Sequence, residues 1–290
     1  MQLANAAARQ AHVDARDLLR DLEIVLRHLA RGGIRGLHWH LDAEWAYVTS
    51  GACRITTIDL QGRANVADVE EGGLWYFPAG LPHSLQGVGP DGCEFIICFD
   101  DGKASEFNTL LLSDWMAHTP PDALAMNFGV PAETFSKIPL HALYIFQGEM
   151  PGPIEVSRLE AQGSLGVPQL ASTFRLADLP PVKKTRGGEV RIADSSNFEI
   201  AKTIAASHVT LHPGGMREMH WHPNADEWTY IIAGQGELTV FNTGPNVVKT
   251  STRATSATSS APTDTTSATP GRPISFIWRC SEAAASRMSR

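Results

Sequence analysis

Short runs of β-branched and aromatic residues recur along much of the chain, separated by Gly, Asp and Pro at intervals of roughly ten residues. Runs of this length with turn residues between them are typical of strands in a β-barrel or β-sandwich. The pattern therefore predicts a mainly β protein. The predicted strands lie at residues 46–50, 54–60, 74–77, 94–99, 228–232 and 237–241.

Helical patterns are fewer. Leu and Val residues within 14–31 recur on one broad face, which predicts an amphipathic helix. A core element or a strand is favoured here over a helix that binds a membrane or a partner. Thr119 followed by two prolines and Asp122 is a typical helix start, and Pro131 begins a similar signal. We therefore expect short helices between two β units.

One internal repeat determines the predicted architecture. Residues 32–40 (GGIRGLHWH) recur as residues 214–222 (GGMREMHWH), and the aromatic residues that follow each copy also match after a one-residue shift. This shift pairs Glu44 with Glu227, although Asp226 lies at the unshifted spacing. Two copies of one unit indicate two domains of the same fold. We predict a first domain at 1–145, a connection at 146–197, the start of a second domain at 198–249 and a low-complexity tail at 250–290.

Composition excludes several classes of partner. The 290-residue chain has a net charge of -7 and no cluster of Lys and Arg, which argues against binding to nucleic acid or to an anionic membrane. No apolar run is long enough to span a bilayer, and no secretory signal pattern is visible. Four cysteines are too few for a disulfide framework. The compartment stays open between cytoplasmic and secreted.

The repeated motif carries the residues for a metal site. His38 and His40 lie two positions apart on a predicted strand, so both imidazoles point to the same face. Glu44 follows shortly, and His83 comes a few residues after the predicted strand at 74–77. Three imidazoles and one carboxylate suit Mn, Fe, Zn or Ni and are too rich in nitrogen for Mg or Ca. A single His-x-His motif is weak evidence for a metal site, but its duplication in this chain strengthens the prediction.

These motifs resemble those of the cupin superfamily. The Gly-Gly, His-x-His and Glu pattern is duplicated as in the bicupin oxalate decarboxylases, and in the first copy it is followed by Pro82-His83 at a strand end. The resemblance covers roughly residues 32–249. It implies an all-β fold with duplicated cupin (double-stranded β-helix or jelly-roll) barrels. It also implies Mn²⁺, a need for O2, conversion of oxalate to formate and carbon dioxide, and assembly into homo-oligomers, either trimers or hexamers.

The resemblance also implies roles for individual residues. In the first barrel Arg35 corresponds to the arginine that binds substrate, and Glu106, within the lid segment 105–109, to the proton-transfer residue. The lid departs from the family pattern at Phe107 and Asn108. The implied first-site metal ligands are His38, His40, Glu44 and His83. The implied second-site residues are the ligands His220, His222 and Glu227, with Arg217 binding substrate.

The second site lacks its expected fourth ligand. The resemblance places another histidine near position 266, but no histidine follows His222. Residues 250–269 contain only Thr, Ser, Ala, Pro, one Arg and one Asp, a composition that buries little apolar surface. Read one base early, the codons from residue 250 onwards are compatible with the family's missing motif. We therefore hypothesise a frameshift and expect the second barrel to be incomplete.

Three functions are compatible with these observations. The first is a manganese-dependent oxalate decarboxylase that works through its first barrel. The second is a bicupin oxalate oxidase, which would produce peroxide instead of formate. The third is an inactive, truncated bicupin whose broken second barrel prevents assembly.

Overall fold

The structure is a computed structural model that describes residues 23–102, 109–139, 144–220, 222, 227–241, 247–252, 256–259, 264–268 and 274–281. Most of these residues form strands, in agreement with the predicted all-β class. The strands, β1 to β20 in chain order, are Glu23–Leu29, Gly33–Trp39, Glu44–Ile58, Ala64–Glu70, Leu74–Phe77, His83–Gly87, Cys93–Phe99, Leu110–Leu111, Ile145–Gln147, Thr173–Phe174, Lys183–Thr185, Gly188–Ala193, Ile204–Leu211, Met216–His220, Glu227–Ala233, Gln235–Phe241, Val247–Thr252, Ser256–Ser259, Asp264–Ala268 and Ile274–Ser281. The α-helices are α1 (Leu112–Ala117), α2 (Pro121–Phe128) and α3 (Ile154–Gln162), and short 3-10 helices span Ala132–Phe135 and Leu176–Asp178.

Strand β3 organises the first barrel. Its first half pairs with β5 and β7, and its second half pairs with β4 and β6, so it passes from one side of the barrel to the other. The change occurs at Gly51, which has a φ of 73°. A Cβ there would lie 2.1 Å from the carbonyl oxygen of Gly92, so only glycine fits. The strands of this sheet run β1-β7-β3-β6-β2-β8.

The predicted helix at 14–31 is wrong where the structure describes it. Residues 23–29 form β1, which pairs antiparallel with β7 from Glu23 opposite Phe99 to Leu29 opposite Cys93. Arg27 and Leu29 are buried while His28 is exposed, which is the alternation of a strand. The spacing of the apolar residues in this segment is compatible with a helix and with a strand. Long-range pairing with β7 determines that a strand forms. Residues 14–22 lie outside the described residues.

The predicted connection at 146–197 contributes to both units. Strand β9 pairs with β2, and β10 pairs with β5, so both belong to the first sheet. Helix α3 packs on β4, where the Arg158 side chain donates a hydrogen bond to the carbonyl of Val66 at 2.9 Å. The prediction of short helices is confirmed by α2, which begins at Pro121 and ends before the left-handed Gly129.

The second unit extends beyond residue 249, where the sequence predicted a tail. One sheet runs β11-β12-β13-β20-β15-β18 and another runs β14-β19-β16-β17. Strand β20 lies between β13 and β15 and pairs with both, so the backbone of residues 274–281 is central to the sheet. Thr is β-branched and favours extended backbone, which suits these strands although its side chains are polar.

The two units share an aromatic core. Tyr47 and Tyr76 of the first barrel belong to the same buried cluster as Phe198, Trp228 and Tyr230 of the second. The Tyr76 hydroxyl also lies 2.9 Å from the hydroxyl of Thr203. Because each unit covers apolar surface of the other, the folding of the second unit bears on the stability of the first.

Truncation of the chain after residue 249 tests the position of β20. Removing the strand between β13 and β15 leaves both with unpaired backbone groups, so their amides should exchange with solvent at least about tenfold faster. Hydrogen exchange followed by mass spectrometry measures this effect. Truncation after residue 281, which keeps every described strand, is the control. Equal protection of β13 in the two truncated chains would contradict the pairing.

Candidate metal centre

The first histidine cluster is built by neighbouring strands of the first barrel. Strand β2 carries Arg35 and His38, His40 follows directly, and β3 and β6 begin at Glu44 and His83. His38 lies opposite His83 in the β2–β6 pair. The ligand atoms of the three histidines and Glu44 all lie within 4.8 Å of one another, and all four residues are buried. The structure therefore brings together the four residues expected from the sequence.

An irregularity in β2 brings the arginine to the same side as the histidines. Arg35 and His38 are three residues apart, and in a regular strand they would point to opposite faces. The register of β2 against β6 shifts between these two residues. Both side chains are buried, while Leu37 between them is 54% exposed. A local bulge of this kind re-aims a side chain at a functional site.

Backbone carbonyls fix the orientation of the three imidazoles. The Nδ1 atoms of His38, His40 and His83 each lie 2.7 Å from a carbonyl oxygen. These oxygens belong to Gly36, Asp42 and Leu81, respectively. Because a carbonyl only accepts, each Nδ1 must carry the proton, which leaves the Nε2 lone pair free in the neutral ring. All three histidines thus present the atom that commonly binds metal.

Glu44 completes the cluster as an ionised carboxylate. Its Oε2 lies 3.2 Å from His40 Nε2 and 3.6 Å from His83 Nε2. Its Oε1 accepts a 2.8 Å hydrogen bond from the indole nitrogen of Trp75. Burial opposes ionisation, but the adjacent His40 and His83 side chains outweigh it and hold the pKa of Glu44 well below its usual value.

A divalent cation fits this arrangement. Burial lowers the pKa of His38 and of His83, so both rings are neutral at neutral pH. His83 Nε2 is buried without a hydrogen-bond partner. Nitrogen lone pairs and carboxylate oxygens converging on one point repel one another unless a cation lies between them. The mixed nitrogen and oxygen donors are those of a transition-metal site.

Arg35 supplies a positive charge beside this cluster. Its guanidinium contacts the Thr109 hydroxyl at 3.3 Å and the Tyr144 carbonyl at 3.5 Å. Burial lowers the pKa of Arg35 to about 10, so the group stays charged at neutral pH. The rings of Phe77 and Phe99 pack against His83 and His40 with centroids 4.3 and 5.1 Å apart, which makes the walls apolar. The site can hold an anion next to a metal and away from water.

Among the described residues, the second cluster brings together three possible ligands and is more open. His222 and Glu227 are buried, whereas the His220 side chain is 24% exposed. Glu227 Oε2 lies 3.3 Å from His220 Nε2 and 2.8 Å from His222 Nε2, while Asp226 lies outside the described residues. Burial raises the pKa of Glu227, but hydrogen bonds from the two histidines lower it to about 2. Arg217 Nη1 is 3.8 Å from Glu227 Oε1.

One predicted site residue is not described by the structure, and some residues that contact the site were not predicted. Glu106 and the rest of residues 103–108 lie outside the described residues. Sequence reasoning missed Trp75 and Tyr144, which contact Glu44 and Arg35, and it named Thr109 only as part of the lid segment, without its contact to Arg35. The one feature of the sequence that pointed to Trp75 was its position in the predicted strand at 74–77. Tyr144 had no signal because it is separated from Arg35 by 109 positions.

The family is decided by comparison of the whole sequence with known proteins. The sequence profile of the family described as Cupin matches residues 4–135 and 174–263. The chain belongs to the cupin family. This membership agrees with the duplicated barrels and with the His-x-His motif in each of them.

Several relatives of this cupin are oxalate decarboxylases by name. The chain is 47% identical over 234 residues to oxalate decarboxylase OxdC of Bacillus subtilis, covering 81% of this chain and 60% of that protein. It is 39% identical over 216 residues to a probable oxalate decarboxylase of Arthroderma benhamiae, covering 74% of this chain and 52% of that protein. The chain thus spans little more than half the length of these relatives.

Solved structures agree with the fold of this cupin. Oxalate decarboxylase from Bacillus subtilis at pH 4.6 superimposes with a TM-score of 0.86 and 41% identity, covering 91% of this chain and 69% of that chain. A structure of the same enzyme, solved in work on its Mn(II) centres, gives a TM-score of 0.85 at 41% identity, covering 90% and 69% of the two chains. Within the described residues, no helix is long and apolar enough to cross a membrane.

Replacing Trp75 with Phe should weaken metal binding at the first cluster. The change removes the hydrogen bond that orients Glu44, and loss of such an outer contact costs about 10- to 100-fold in metal affinity. Competition with a fluorescent chelator measures the affinity. Trp45→Phe, an equal truncation in the shared aromatic core, is the control. Equal affinities of the Trp75→Phe and control proteins would show that the indole does not support Glu44.

Stepwise chelation should resolve a tight and a weak class of metal site. Four buried ligands surround the first site, whereas the described residues supply three at the second, one of them partly exposed. Loss of a direct ligand should lower metal affinity by at least the roughly tenfold caused by loss of an outer contact. Bound metal can be counted at each chelator concentration by elemental analysis. His220→Ala should remove only the weak class and His38→Ala only the tight class. The reverse assignment would contradict the structure.

Proposed function

We propose that this chain is a manganese-dependent oxalate decarboxylase that converts oxalate to formate and carbon dioxide at its first metal centre, with dioxygen required. The observation that carries the proposal is the buried cluster of three Nδ1-protonated histidines and Glu44, with Arg35 on the same side of the barrel. The names of the two relatives and the Mn(II) centres of the Bacillus subtilis enzyme support the same activity and metal.

The charges of the first site suit a small dianion. Glu44 is ionised, Arg35 is positive, and His38 and His83 are neutral. A divalent metal together with Arg35 and Glu44 leaves a net charge of two positives, which oxalate neutralises. In surroundings walled by Phe77 and Phe99, such a balance favours a dianion over a neutral molecule.

His38, His40, Glu44 and His83 would hold the metal. When bound, the metal supplies a Lewis acid and a fixed positive charge that orient an oxalate carboxylate. Arg35 then binds the substrate through its guanidinium and stabilises negative charge as the carbon–carbon bond breaks. The apolar walls restrict water around the reacting carboxylates.

Glu106 is the residue that we propose for proton transfer. The oxalate dianion reacts together with one proton, which is transferred to the carbon that becomes formate, and the other carbon leaves as carbon dioxide. The overall reaction involves no net oxidation, so any electron that dioxygen accepted would have to be returned before formate is released. Glu106 is three residues from Thr109, whose hydroxyl contacts Arg35. Three residues of chain span about 11 Å at most, and this short separation supports Glu106 as the candidate.

The alternative activity is oxalate oxidation, which consumes dioxygen and releases peroxide with two molecules of carbon dioxide. Glu106 favours decarboxylation because a carboxylate near the substrate can return the proton to carbon. The third reading, an inactive bicupin, requires that the open second cluster or the tail prevents folding. Assembly into trimers or hexamers, and the roles of Arg217, His220, His222 and Glu227 at a second metal, remain predictions.

Replacing Glu106 with Gln should reduce formate production by at least about 100-fold, the usual contribution of a general acid–base residue. Bound manganese should stay at the wild-type level because Glu106 is not among the four ligands. Formate can be measured with a coupled dehydrogenase, and metal by elemental analysis. Glu133→Gln, at an exposed position of a 3-10 helix, is the control. Wild-type formate production by the Glu106→Gln protein would exclude the role.

Product analysis with ¹³C-labelled oxalate tests the activity itself. The manganese-loaded protein should yield formate and carbon dioxide in equal amounts, and no turnover should occur without dioxygen. Peroxide with two equivalents of carbon dioxide would instead identify an oxidase. Absence of any product from folded, metal-loaded protein would support the inactive alternative.

A further inference from the structure

The Tyr144 ring lies between two arginines beside the first metal centre. The guanidinium carbon of Arg35 is 4.0 Å from the ring centroid, within the range of a cation–π interaction. The guanidinium carbon of Arg27 is 5.6 Å from the same centroid. Arg27 Nη2 also donates a 2.9 Å hydrogen bond to the Tyr144 hydroxyl. One phenol therefore contacts both cations, and only one of them, Arg35, has been given a role in the reaction.

The backbone of Tyr144 is held in an uncommon conformation. Its φ is 43°, and it is the one non-glycine residue with positive φ in the described part of the chain. Its carbonyl accepts hydrogen bonds from the Gly36 amide at 3.3 Å and from Arg35 Nη1 at 3.5 Å. The next residue, Ile145, lies opposite Arg35 in the β9–β2 pair. Left-handed backbone at a bulky residue costs free energy and is concentrated at functional sites.

These contacts restrain Arg35 from several directions. The ring packs against the face of its guanidinium, while the Tyr144 carbonyl and the Thr109 hydroxyl accept from its edge. A guanidinium binds a carboxylate best through two parallel hydrogen bonds, and this geometry requires a fixed plane. Arg27 in turn fixes the phenol. These contacts fix the orientation of the Arg35 guanidinium, and they bring the positive charge of Arg27 close to it.

We propose that Tyr144 is a positioning residue, which together with Arg27 holds the guanidinium of Arg35 in the plane that receives a carboxylate of oxalate. This inference rests on the proposed function. It predicts that changes at Tyr144 weaken substrate binding while the metal ligands keep their metal. If Tyr144 only packed against the turn, its substitution would instead lower the stability of the protein and leave substrate binding unchanged.

Tyr144→Asn is the test variant, because Asn adopts positive φ more readily than other non-glycine residues and keeps the turn while the ring is lost. The KM for oxalate should rise about 3- to 30-fold, the range expected for loss of one cation–π contact. The kcat should change less than KM, manganese content should be unchanged, and Tm should change little. Tyr144→Phe keeps the ring and should recover most of the affinity, with a smaller loss from the missing Arg27 contact.

Two comparisons separate positioning from general damage. Phe128→Asn, at an exposed aromatic residue of α2, should leave KM unchanged. In an Arg35→Lys background, Tyr144→Asn should add little, because the planar group that the ring orients is gone. Additive effects of the two substitutions, or a wild-type KM in Tyr144→Asn, would overturn the inference.

Calorimetric titration of manganese-loaded protein with oxalate distinguishes this inference from the proposed function. Wild-type protein that binds oxalate but produces no formate would refute the decarboxylase activity. Weaker binding by Tyr144→Asn in that case would still support the positioning role. Equal binding by wild-type and Tyr144→Asn proteins would overturn the positioning role even where formate is produced.

Discussion

The first barrel depends on one electrostatic constraint: three imidazole lone pairs and a carboxylate face a single buried point. The carbonyls of Gly36, Asp42 and Leu81 each hold a proton on the Nδ1 atom of a histidine, so the Nε2 atoms turn inward as acceptors. Acceptors alone cannot satisfy one another in a region of low dielectric constant. A cation resolves this conflict, and its binding then links metal affinity to the stability of the strands that carry the ligands.

The fold satisfies this constraint with ordinary strand geometry and two departures from it. Period-two alternation places His38 and His40 on one face, and the pairing of β2 with β6 places His83 opposite His38. The register shift in β2 then brings Arg35 to the same side. A comparable shift lies between Arg217 and His220 in the second unit. The second departure is the left-handed backbone at Tyr144, which brings an aromatic ring against Arg35.

The sequence predicted those parts of the site that follow from local spacing. The His-x-His motif, its duplication and Glu44 could be identified because strand alternation is a short-range rule. Trp75 and Tyr144 could not, because they reach Glu44 and Arg35 through pairings between distant segments. The strand at residues 23–29 was mistaken for a helix for the same reason, since its partner β7 lies far along the chain. Threonine-rich composition likewise concealed backbone strands beyond residue 249.

Nitrogen-15 NMR of the histidine side chains in zinc-loaded protein reports which ring nitrogen of each histidine carries the proton and which binds the metal. Zinc is diamagnetic and accepts the same nitrogen and oxygen ligands. The account predicts that His38, His40 and His83, assigned by single His→Gln substitutions, are protonated at Nδ1 and metal-bound at Nε2. Protonation at Nε2 in any of the three rings of the zinc-loaded protein would contradict the account.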